Sequence, residues 1–524
     1  MQKTLYFGGP ILTMEGPRPQ YSPALLVEDG LIRALGTVEE LTALAPDARQ
    51  ADLEGHALLP AFLDPHSHFS ACANALLQCS VAEARDFEGL VEIIRSYIAE
   101  QSIPEGQWVM ARDLDPAMLA EHRVPDRQVL DRAAPRHPLV LQHRSGHVGV
   151  LDSLGLERMG IDGDTPDPDG GHIWKEDGQP TGYLEENAFL AVLPRLPAPD
   201  PARLMGAYHQ AQRLYASHGI ATAQEGMLSP LLVPLYQALC ARDMLALDVV
   251  AYPAPADASQ IAKDFPKHPR CRLGGYKIFL DGSPQSRTAW VRTPYEGSSD
   301  RGYPTMTDAQ VDEAVALALD TGKQLLAHCN GDAAAEQYLQ ALERAAAAGR
   351  DVAAIRPVMI HAQLVGRDQL PRLKALGVIP SFFVAHVYHW GDTHLENLGP
   401  PRAAAISPAH SAGELGLPYT FHQDSPVIPP DMQETLWCAA VRTTRNGVVL
   451  GPEERVSTYD ALRAVTANAA YQYFEEGSKG TLAPGKRADL TILDRDPLSI
   501  PPEELRRLQV LATLKDGKAI YTKA

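Results

Sequence analysis

The chain has 524 residues and an ordinary apolar fraction of 45%, so we expect more than one domain and exclude a disordered or fibrous class. The formal net charge of −18 argues against broad binding to nucleic acid, which needs clustered lysine and arginine. No apolar run approaches the roughly 20 residues of a membrane span, so we expect no membrane partner.

The N-terminus and the cysteines predict a cytoplasmic protein. The first ten residues contain glycine and proline, and their apolar stretch is too short for a signal peptide. The six cysteines are scattered and form no CxxC pair, which is typical of reduced thiols rather than of a disulfide framework or a structural zinc site.

Both ends of the chain are predicted to form short strands. At the start these are Lys3–Phe7, Ala24–Glu28 and Leu31–Leu35, and at the end Ala488–Leu493, Gln509–Lys515 and Lys518–Tyr521. Neither end is long enough to bury a core of its own. We therefore predict one small β-sandwich domain built from residues 1–59 and 476–524.

The middle of the chain, residues 60–475, alternates apolar strands with helices and is predicted to be a (β/α)₈ TIM barrel of the α/β class. Eight strands are predicted: Leu58–Leu63, Ile220–Gln224, Ala246–Ala251, Tyr276–Leu280, Gln324–His328, Val358–His361, Gly377–Phe382 and Pro418–His422. The interval after the first strand far exceeds a normal loop, so we predict a large insertion there, at about residues 75–205.

The strongest local signal is the pair His66 and His68 in Asp64-Pro65-His66-Ser67-His68, which follows the first strand. Two histidines at i and i+2 on a strand end point to the same side, so both rings can reach one cation. His-x-His by itself is a weak signal. At the C-terminal end of a strand that opens a barrel it favours a metal site.

Four further predicted strands end in residues that could take part in a metal site: Lys277 on strand four, His328 on strand five, His361 on strand six and Asp424 on strand eight. Each has a plainer explanation by itself. The histidines could be structural, Asp424 could cap a helix, and Lys277, costly inside an apolar strand, could be an ion-pair partner. Together, at the ends of barrel strands, they predict a metal site.

The sequence then resembles the amidohydrolase superfamily, and more narrowly the amidohydrolase-3 group, which includes the YtcJ-like proteins and the N-substituted formamide deformylases. The resemblance runs nearly end to end. Its marks are Leu59–His68, Lys277–Ser283, Ser286–Ala289, Ala327–Asp332, His361–Gln363, Asp424–Val427 and Lys479–Leu490.

The resemblance implies a two-metal site. His66, His68 and Asp424 would hold the more buried ion, and His328 and His361 the second. Lys277, carbamylated by CO₂, would bridge both ions. Zinc is the expected metal, although histidine and carboxylate ligands also suit iron, manganese and cobalt.

The implied reaction is hydrolysis of a C–N bond in a small-molecule amide, such as an N-acyl or N-formyl amine. Zinc lowers the pKa of a bound water from 15.7 to about 7, which supplies hydroxide at neutral pH. Asp424 would take the proton of the water and later give it to the leaving nitrogen. The resemblance also suggests a homodimer.

Other functions stay open at this point. The ligand set also permits a cyclic amidohydrolase acting on a hydantoin- or lactam-like ring. A deaminase is disfavoured because Ile360-His361-Ala362-Gln363 lacks the acidic partner usual near the later histidines. A catalytically dead binding protein would have a broken ligand set, whereas here every ligand position is filled.

This chain departs from similar sequences beside two ligands. His422-Gln423 precede Asp424 where small residues are usual, and Ile360 precedes His361 where an acidic residue is frequent. Both changes predict an altered pocket or altered support of the ligands.

The candidate substrate pocket is defined less sharply. Three of the candidates have a structural explanation that competes with substrate binding: a surface turn at His147, a solvated helix start at Glu186 and a structural salt bridge at Arg287. The candidate substrate-binding residues are His147, Glu186, Asp281, Arg287, Tyr388 and Trp390.

Overall fold

The computed structural model describes residues 3–144, 146, 148–168, 171–197 and 200–523. The chain divides into two compact units. The larger comprises residues 1–71 and 211–524, and the smaller comprises residues 72–210. The predicted insertion, at about residues 75–205, falls within the smaller unit.

Parallel strands form the centre of the larger unit. In chain order they are β1 (Phe62–Leu63), β2 (Ile220–Leu228), β3 (Asp248–Pro253), β4 (Gly275–Phe279), β5 (Gln324–Cys329), β6 (Val358–His361), β7 (Ile379–Phe382) and β8 (Thr420–Phe421). One sheet contains β1, β2, β3 and the short strand Cys271–Leu273, and a second contains β4 to β8 in sequence order. All neighbours in both sheets are parallel, so the C-terminal ends of the strands in each sheet share an edge.

Helices connect these strands. Those of the larger unit that follow β2 are Val233–Ala241, Ala258–Asp264, Asp308–Thr321, Asp332–Ala347, Leu370–Leu376, His386–Leu398, Pro400–Ala404, Ala409–Glu414, Met432–Val441, Thr458–Ala464 and Ala467–Gln472. The helix Pro201–Ser217 leads into β2. Among the residues that the structure describes, no helix combines the length and apolar character needed to cross a bilayer.

Strands from both chain ends share one eight-stranded sheet, which we call the terminal sheet. Its strand order is Lys518–Thr522, Val510–Lys515, Leu490–Leu493, Ala57–Pro60, Lys3–Leu12, Tyr21–Glu28 and Leu31–Gly36, with Arg49–Asp52 beside Lys3–Leu12. The two ends meet where Leu490 pairs with Pro60 and Leu493 with Ala57. That this sheet folds into a sandwich stays a prediction.

The prediction of a single strand over Leu58–Leu63 was wrong. Ala57–Pro60 belongs to the terminal sheet, whereas Phe62–Leu63 pairs with β2. The chain changes partner at Ala61, whose N–H donates to the carbonyl of Asp489. Phe62 N–H then donates to the carbonyl of Gly219, so the two halves of one apolar run enter different sheets.

The chain from residue 458 to residue 472 does not form one continuous helix. Two helices, Thr458–Ala464 and Ala467–Gln472, occupy this stretch. Between them the carbonyl of Val465 accepts a hydrogen bond from Leu63 N–H at 2.9 Å. The break therefore ties β1 to the C-terminal helices.

The smaller unit has a six-stranded mixed sheet. Its strand order is Gly171–Glu176, Gln179–Glu186, Val148–Leu151, Leu139–His143, Val109–Leu114 and Cys79–Ser80. Its helices include Phe87–Glu100, Arg127–Ala133 and Ser153–Met159. Buried residues such as Leu90, Ile94 and Leu130 give this unit a hydrophobic core of its own.

A buried ionic cluster joins the terminal sheet to the parallel strands. Asp248, the first residue of β3, accepts from Lys479 Nζ at 2.5 Å, Lys515 Nζ at 2.7 Å and Arg487 Nη1 at 2.9 Å. Asp248, Lys479 and Lys515 are each at most 5% exposed. Lys515 also contacts Asp489, so that the charges of both lysines are compensated inside the protein.

Asp248→Asn is expected to lower the free energy of unfolding by about 3–5 kcal/mol, because it leaves two buried ammonium groups without their shared carboxylate. Burial by itself raises the pKa of Asp248, but the charges of Lys515 and Lys479 outweigh it and hold this pKa well below its usual value. A carboxylate with a depressed folded pKa stabilises the fold above its unfolded pKa of about 3.9. That stabilisation is lost as the pH falls further.

Urea unfolding of wild type and variant, followed from neutral pH to about pH 3, measures both effects. The difference between the two proteins should shrink at the acid end. Asp312→Asn is the matched control, because it removes an exposed pair with Arg344 that is worth about 0–1 kcal/mol. Equal unfolding midpoints for Asp248→Asn and wild type would contradict the assignment.

Candidate metal centre

The structure brings the six predicted ligand residues together at the C-terminal ends of the parallel strands. His66 and His68 follow β1, and Asp424 follows β8. The backbone N–H of Asp424 donates to the carbonyl of His66 at 3.3 Å, which holds these two segments side by side. The remaining three lie on neighbouring strands, Lys277 on β4, His328 on β5 and His361 on β6.

The Asp424 carboxylate lies among the rings. Its Oδ1 is 3.3 Å from His66 Nε2 and 3.4 Å from His68 Nε2, and its Oδ2 is 3.9 Å from His361 Nε2. On the other side, His361 Nε2 is 3.1 Å from His328 Nδ1. The carboxylate and the four imidazoles thus direct their polar atoms toward one another.

These residues fit a divalent cation. Ligand atoms of His66, His361 and Asp424 all lie within 4.8 Å of one another. Nitrogen ligands about 2.0–2.1 Å from a tetrahedral zinc are roughly 3.4 Å apart, close to the separations found here. Among the described residues, Asp424 Oδ1 has no hydrogen-bond partner although it is buried, and a cation would satisfy it.

Burial keeps the ring nitrogens neutral. It lowers the pKa of His66 to about 4 and that of His328 to about 3, in both cases helped by the positive charge of Lys277. The pKa of His361 is likewise well below its usual value. At neutral pH each of these three rings therefore keeps a lone pair for a metal ion.

The pKa values of the two charged groups of the site, Asp424 and Lys277, are shifted in directions that suit a metal centre. Burial by itself raises the pKa of Asp424, but its contacts with His66 and His68 hold that pKa well below its usual range. Burial lowers the pKa of Lys277 to about 8, against the opposing charge of Asp424. Lys277 Nζ lies 3.3 Å from His66 Nε2.

The second nitrogen of three of these rings has a partner of its own. His66 Nδ1 is 2.6 Å from Gln224 Oε1, and Gln224 Nε2 donates to the carbonyl of Pro65 at 2.7 Å, which fixes the orientation of the amide. His328 Nε2 lies 3.1 Å from the carbonyl of Gly282. His361 Nδ1 lies 3.2 Å from His422 Nε2.

Sequence reasoning missed Gln224 and Ser381 as supporting residues. Gln224 lies in β2, and Ser381 lies in β7 with its Oγ 2.9 Å from His422 Nδ1. Both are polar side chains that are fully buried within apolar strands. That is the signal that singled out Lys277, and it was available for these two as well.

Two of the candidate ligands have strained backbones. His361 has φ of 70° and Asp424 has φ of 55°, in the left-handed region that side chains other than glycine rarely adopt. Such a conformation costs about 1–3 kcal/mol and persists only where the surroundings enforce it. This strain is a further mark of a functional site.

Several candidate substrate-binding residues contact other parts of the protein. The carboxylate of Asp281 accepts from the backbone N–H groups of Trp290, Asn330 and Gly331, which orders the loop after β5. Arg287 Nε donates to Asn397 Oδ1 at 2.9 Å. Their contact with a substrate stays a prediction.

The two remaining candidates in the described residues, Tyr388 and Trp390, pack against other aromatic side chains. The ring of Tyr388 is 5.3 Å from that of Trp437 and lies beneath the guanidinium of Arg506. Trp390 packs against Phe383, whose ring is 6.1 Å from that of His361. His147 and the side chain of Glu186 lie outside the described residues. Substrate contact at these positions stays a prediction.

One cavity lies away from the candidate ligands. It has a volume of about 620 Å³ and is lined by residues 79–100 of the smaller unit, among them Cys79, Arg85 and Tyr97. It contains none of the candidate ligands. The chemistry of the ligand cluster, and not cavity size, therefore identifies the site.

Comparison with known proteins points to the same chemistry. The sequence profile of the amidohydrolase family matches residues 49–521. The N-substituted formamide deformylase of Arthrobacter pascens is 28% identical over 96% of this chain and 96% of its own. The putative amidohydrolase YtcJ of Bacillus subtilis is 26% identical over the full length of both chains.

Solved structures show the same fold. An uncharacterized metal-dependent hydrolase from Pyrococcus furiosus has a TM-score of 0.78 and 25% identity, over 95% of this chain and 100% of that one. Another from Pyrococcus horikoshii has a TM-score of 0.80 and 23% identity, over 96% and 99%. The fold is therefore TIM-barrel-like.

Gln224→Leu is expected to weaken metal binding by roughly 10- to 100-fold, because it removes the acceptor that holds the proton of His66 on Nδ1. Competition with a chromophoric chelator measures the affinity. Gln212→Leu is the control, since Gln212 is also a buried glutamine but its amide bonds to the backbone of Met244 and Ala246. An equal loss in both variants would show a general packing effect instead.

Proposed function

Because the chain belongs to the amidohydrolase family, we propose that it hydrolyses a carbon–nitrogen bond in a small-molecule amide with the help of divalent metal ions. The observation that carries this proposal is the buried cluster of His66, His361 and Asp424, in which Asp424 Oδ1 has no hydrogen-bond partner among the described residues. Relatives named as hydrolases over nearly the whole chain support it.

The donor set favours two metal ions. His66, His68 and Asp424 would hold one, and His328 and His361 the other, with zinc the first candidate and iron, manganese or cobalt compatible. A bound divalent ion lowers the pKa of a coordinated water and polarises the amide carbonyl. Both effects favour attack on the carbonyl carbon.

Lys277 is suited to become a carbamate that bridges the two sites. Its lowered pKa, about 8, leaves an appreciable neutral fraction of the amine near neutral pH. The nitrogen lone pair attacks the carbon of CO₂, so that a C–N bond forms while one C=O π bond breaks and its electron pair moves to oxygen. The amine proton is lost to solvent. The buried ammonium beside His66 is thereby replaced by an anionic group with two oxygen donors.

Asp424 is the proton carrier of the reaction. Its depressed pKa keeps the carboxylate ionised at neutral pH, so that Oδ1 can accept the proton of the attacking water. The same atom then returns the proton to the nitrogen of the breaking C–N bond. The amine leaves neutral, and the acyl group leaves as a carboxylic acid.

The expected substrate is an open-chain N-acyl or N-formyl amine. The support is the likeness to a protein named as an N-substituted formamide deformylase, over 96% of both chains. A ring amide such as a hydantoin or lactam is the alternative within the same chemistry. A homodimer and a cytoplasmic location are part of the proposal, and the six free cysteines favour that location.

We also propose that the two parallel sheets close into one barrel. Two backbone hydrogen bonds between the ends of the strand series support closure. Asp424 N–H donates to His66 and His68 N–H donates to Ser425.

Removing metal by chelation is expected to abolish amide hydrolysis, and adding back zinc, manganese or cobalt should restore it. A panel of N-formyl amines, N-acyl amines and ring amides, read out as released amine or acid, tests the substrate class. Metal content and intact mass of the same protein report the number of ions and the mass of one CO₂ on Lys277. A metal-loaded protein that cleaves nothing in the panel would favour a binding protein on this fold.

Asp424→Asn is expected to lower kcat by roughly 10²–10⁴-fold, because the amide cannot accept the proton of the water. Asp392→Asn is a suitable control, since that carboxylate accepts from Thr444 and from the backbone of Asn446, away from the ligands. Rates are measured with each variant at equal metal content. An Asp424→Asn enzyme with the wild-type rate would rule out Asp424 as the base.

A further inference from the structure

His422 is a fully buried histidine directly behind a candidate ligand. Its Nε2 lies 3.2 Å from His361 Nδ1, and its Nδ1 lies 2.9 Å from Ser381 Oγ. His422 follows β8, His361 ends β6 and Ser381 lies in β7 between them. Three adjacent strands therefore supply a continuous chain of polar atoms.

A count of protons assigns a direction to this chain. A neutral imidazole carries one ring proton, so if His361 Nε2 binds a metal ion, the proton must be on Nδ1. That nitrogen is buried and requires an acceptor. The lone pair of His422 Nε2 serves as this acceptor, and the proton of His422 is then on Nδ1, where it donates to Ser381 Oγ.

The other ring nitrogen of His361, Nε2, faces a second histidine, His328. His328 Nε2 lies 3.1 Å from both the carbonyl of Gly282 and Asn330 Nδ2, and Asn330 Nδ2 donates to the same carbonyl at 2.8 Å. With its proton on Nε2, His328 donates to this carbonyl and directs the lone pair of Nδ1 toward His361 Nε2, 3.1 Å away. Two lone pairs at 3.1 Å repel each other unless a cation lies between them or one ring takes up a proton there. In that arrangement, an acceptor behind His361 favours the tautomer that keeps the proton on Nδ1 and leaves Nε2 free for a metal ion.

We propose that His422 and Ser381 are positioning residues that hold His361 in the tautomer able to bind metal. The inference rests on the proposed function, since it assumes a metal ion at His361 Nε2. It extends that function by assigning a role to two residues that do not touch the ion. A ligating histidine ordinarily donates its second N–H to a carboxylate, a carbonyl or water, and here another histidine takes that place.

The test compares His422→Leu with His422→Gln. Leucine fills similar space without an acceptor, whereas the Oε1 of glutamine can reach the place of Nε2 and accept from His361. The readouts are zinc affinity, by competition with a chromophoric chelator, and the visible absorption spectrum of the cobalt-loaded protein. We expect His422→Leu to lose roughly 10- to 100-fold in affinity and to show an altered cobalt spectrum, and His422→Gln to stay near wild type.

Two further variants complete the design. Ser381→Ala removes a single oxygen and is expected to cause a smaller loss of affinity, and it carries the test if His422→Leu does not fold. His394→Leu is the matched control, because His394 is another fully buried histidine whose Nε2 faces His386 Nδ1 at 3.1 Å. Its zinc affinity should equal that of wild type.

The outcomes separate the inference from the proposed function. Wild-type protein that binds metal and hydrolyses amides, with His422→Leu and Ser381→Ala binding zinc equally well, would overturn the inference alone. Equal losses in His422→Leu and His422→Gln would overturn it in favour of direct ligation by His422 or of ring packing. Wild-type protein that binds no metal would overturn both.

Discussion

A buried carboxylate surrounded by neutral imidazoles is the constraint on which this site depends. Asp424 is ionised although its side chain is only 13% exposed, and its Oδ1 faces His66 and His68 without a hydrogen bond to either. An uncompensated charge in such a place is costly, so the arrangement is stable only with positive charge close by. Lys277 supplies one charge in the protein itself, and bound cations would supply more.

Much of the surrounding structure keeps these atoms in place. The left-handed backbone at His361 and Asp424 turns both side chains toward the cluster at the expense of local strain. Gln224, His422 and the carbonyl of Gly282 each occupy the second nitrogen of a ring. Because one nitrogen of each of these rings is held by such a contact, the other nitrogen is the defined atom that faces a metal ion.

The ionic cluster at Asp248 follows the same principle at the opposite ends of the strands. There the charges are satisfied within the protein, since Lys479, Lys515 and Arg487 converge on one carboxylate. This cluster binds the terminal sheet to β3. In the ligand cluster, by contrast, Asp424 Oδ1 has no hydrogen-bond partner among the described residues, which is why a metal ion is proposed there and not at Asp248.

The sequence by itself determined the alternation of strands and helices and the chemistry-bearing residues at the strand ends. Local apolar periodicity and residue type are properties of neighbouring residues, so they can be read without the fold. Only the tertiary structure decided the point at which the apolar run Leu58–Leu63 divides between two sheets. The change of sheet depends on hydrogen bonds to the carbonyls of Asp489 and Gly219, which are distant in sequence. The tertiary structure also decided which ring nitrogen of each histidine is available to a metal ion, because this depends on the hydrogen-bond partner of the other nitrogen. Gln224 is 158 residues from His66, and Ser381 is 41 residues from His422, so only the packing of strands brings each pair together.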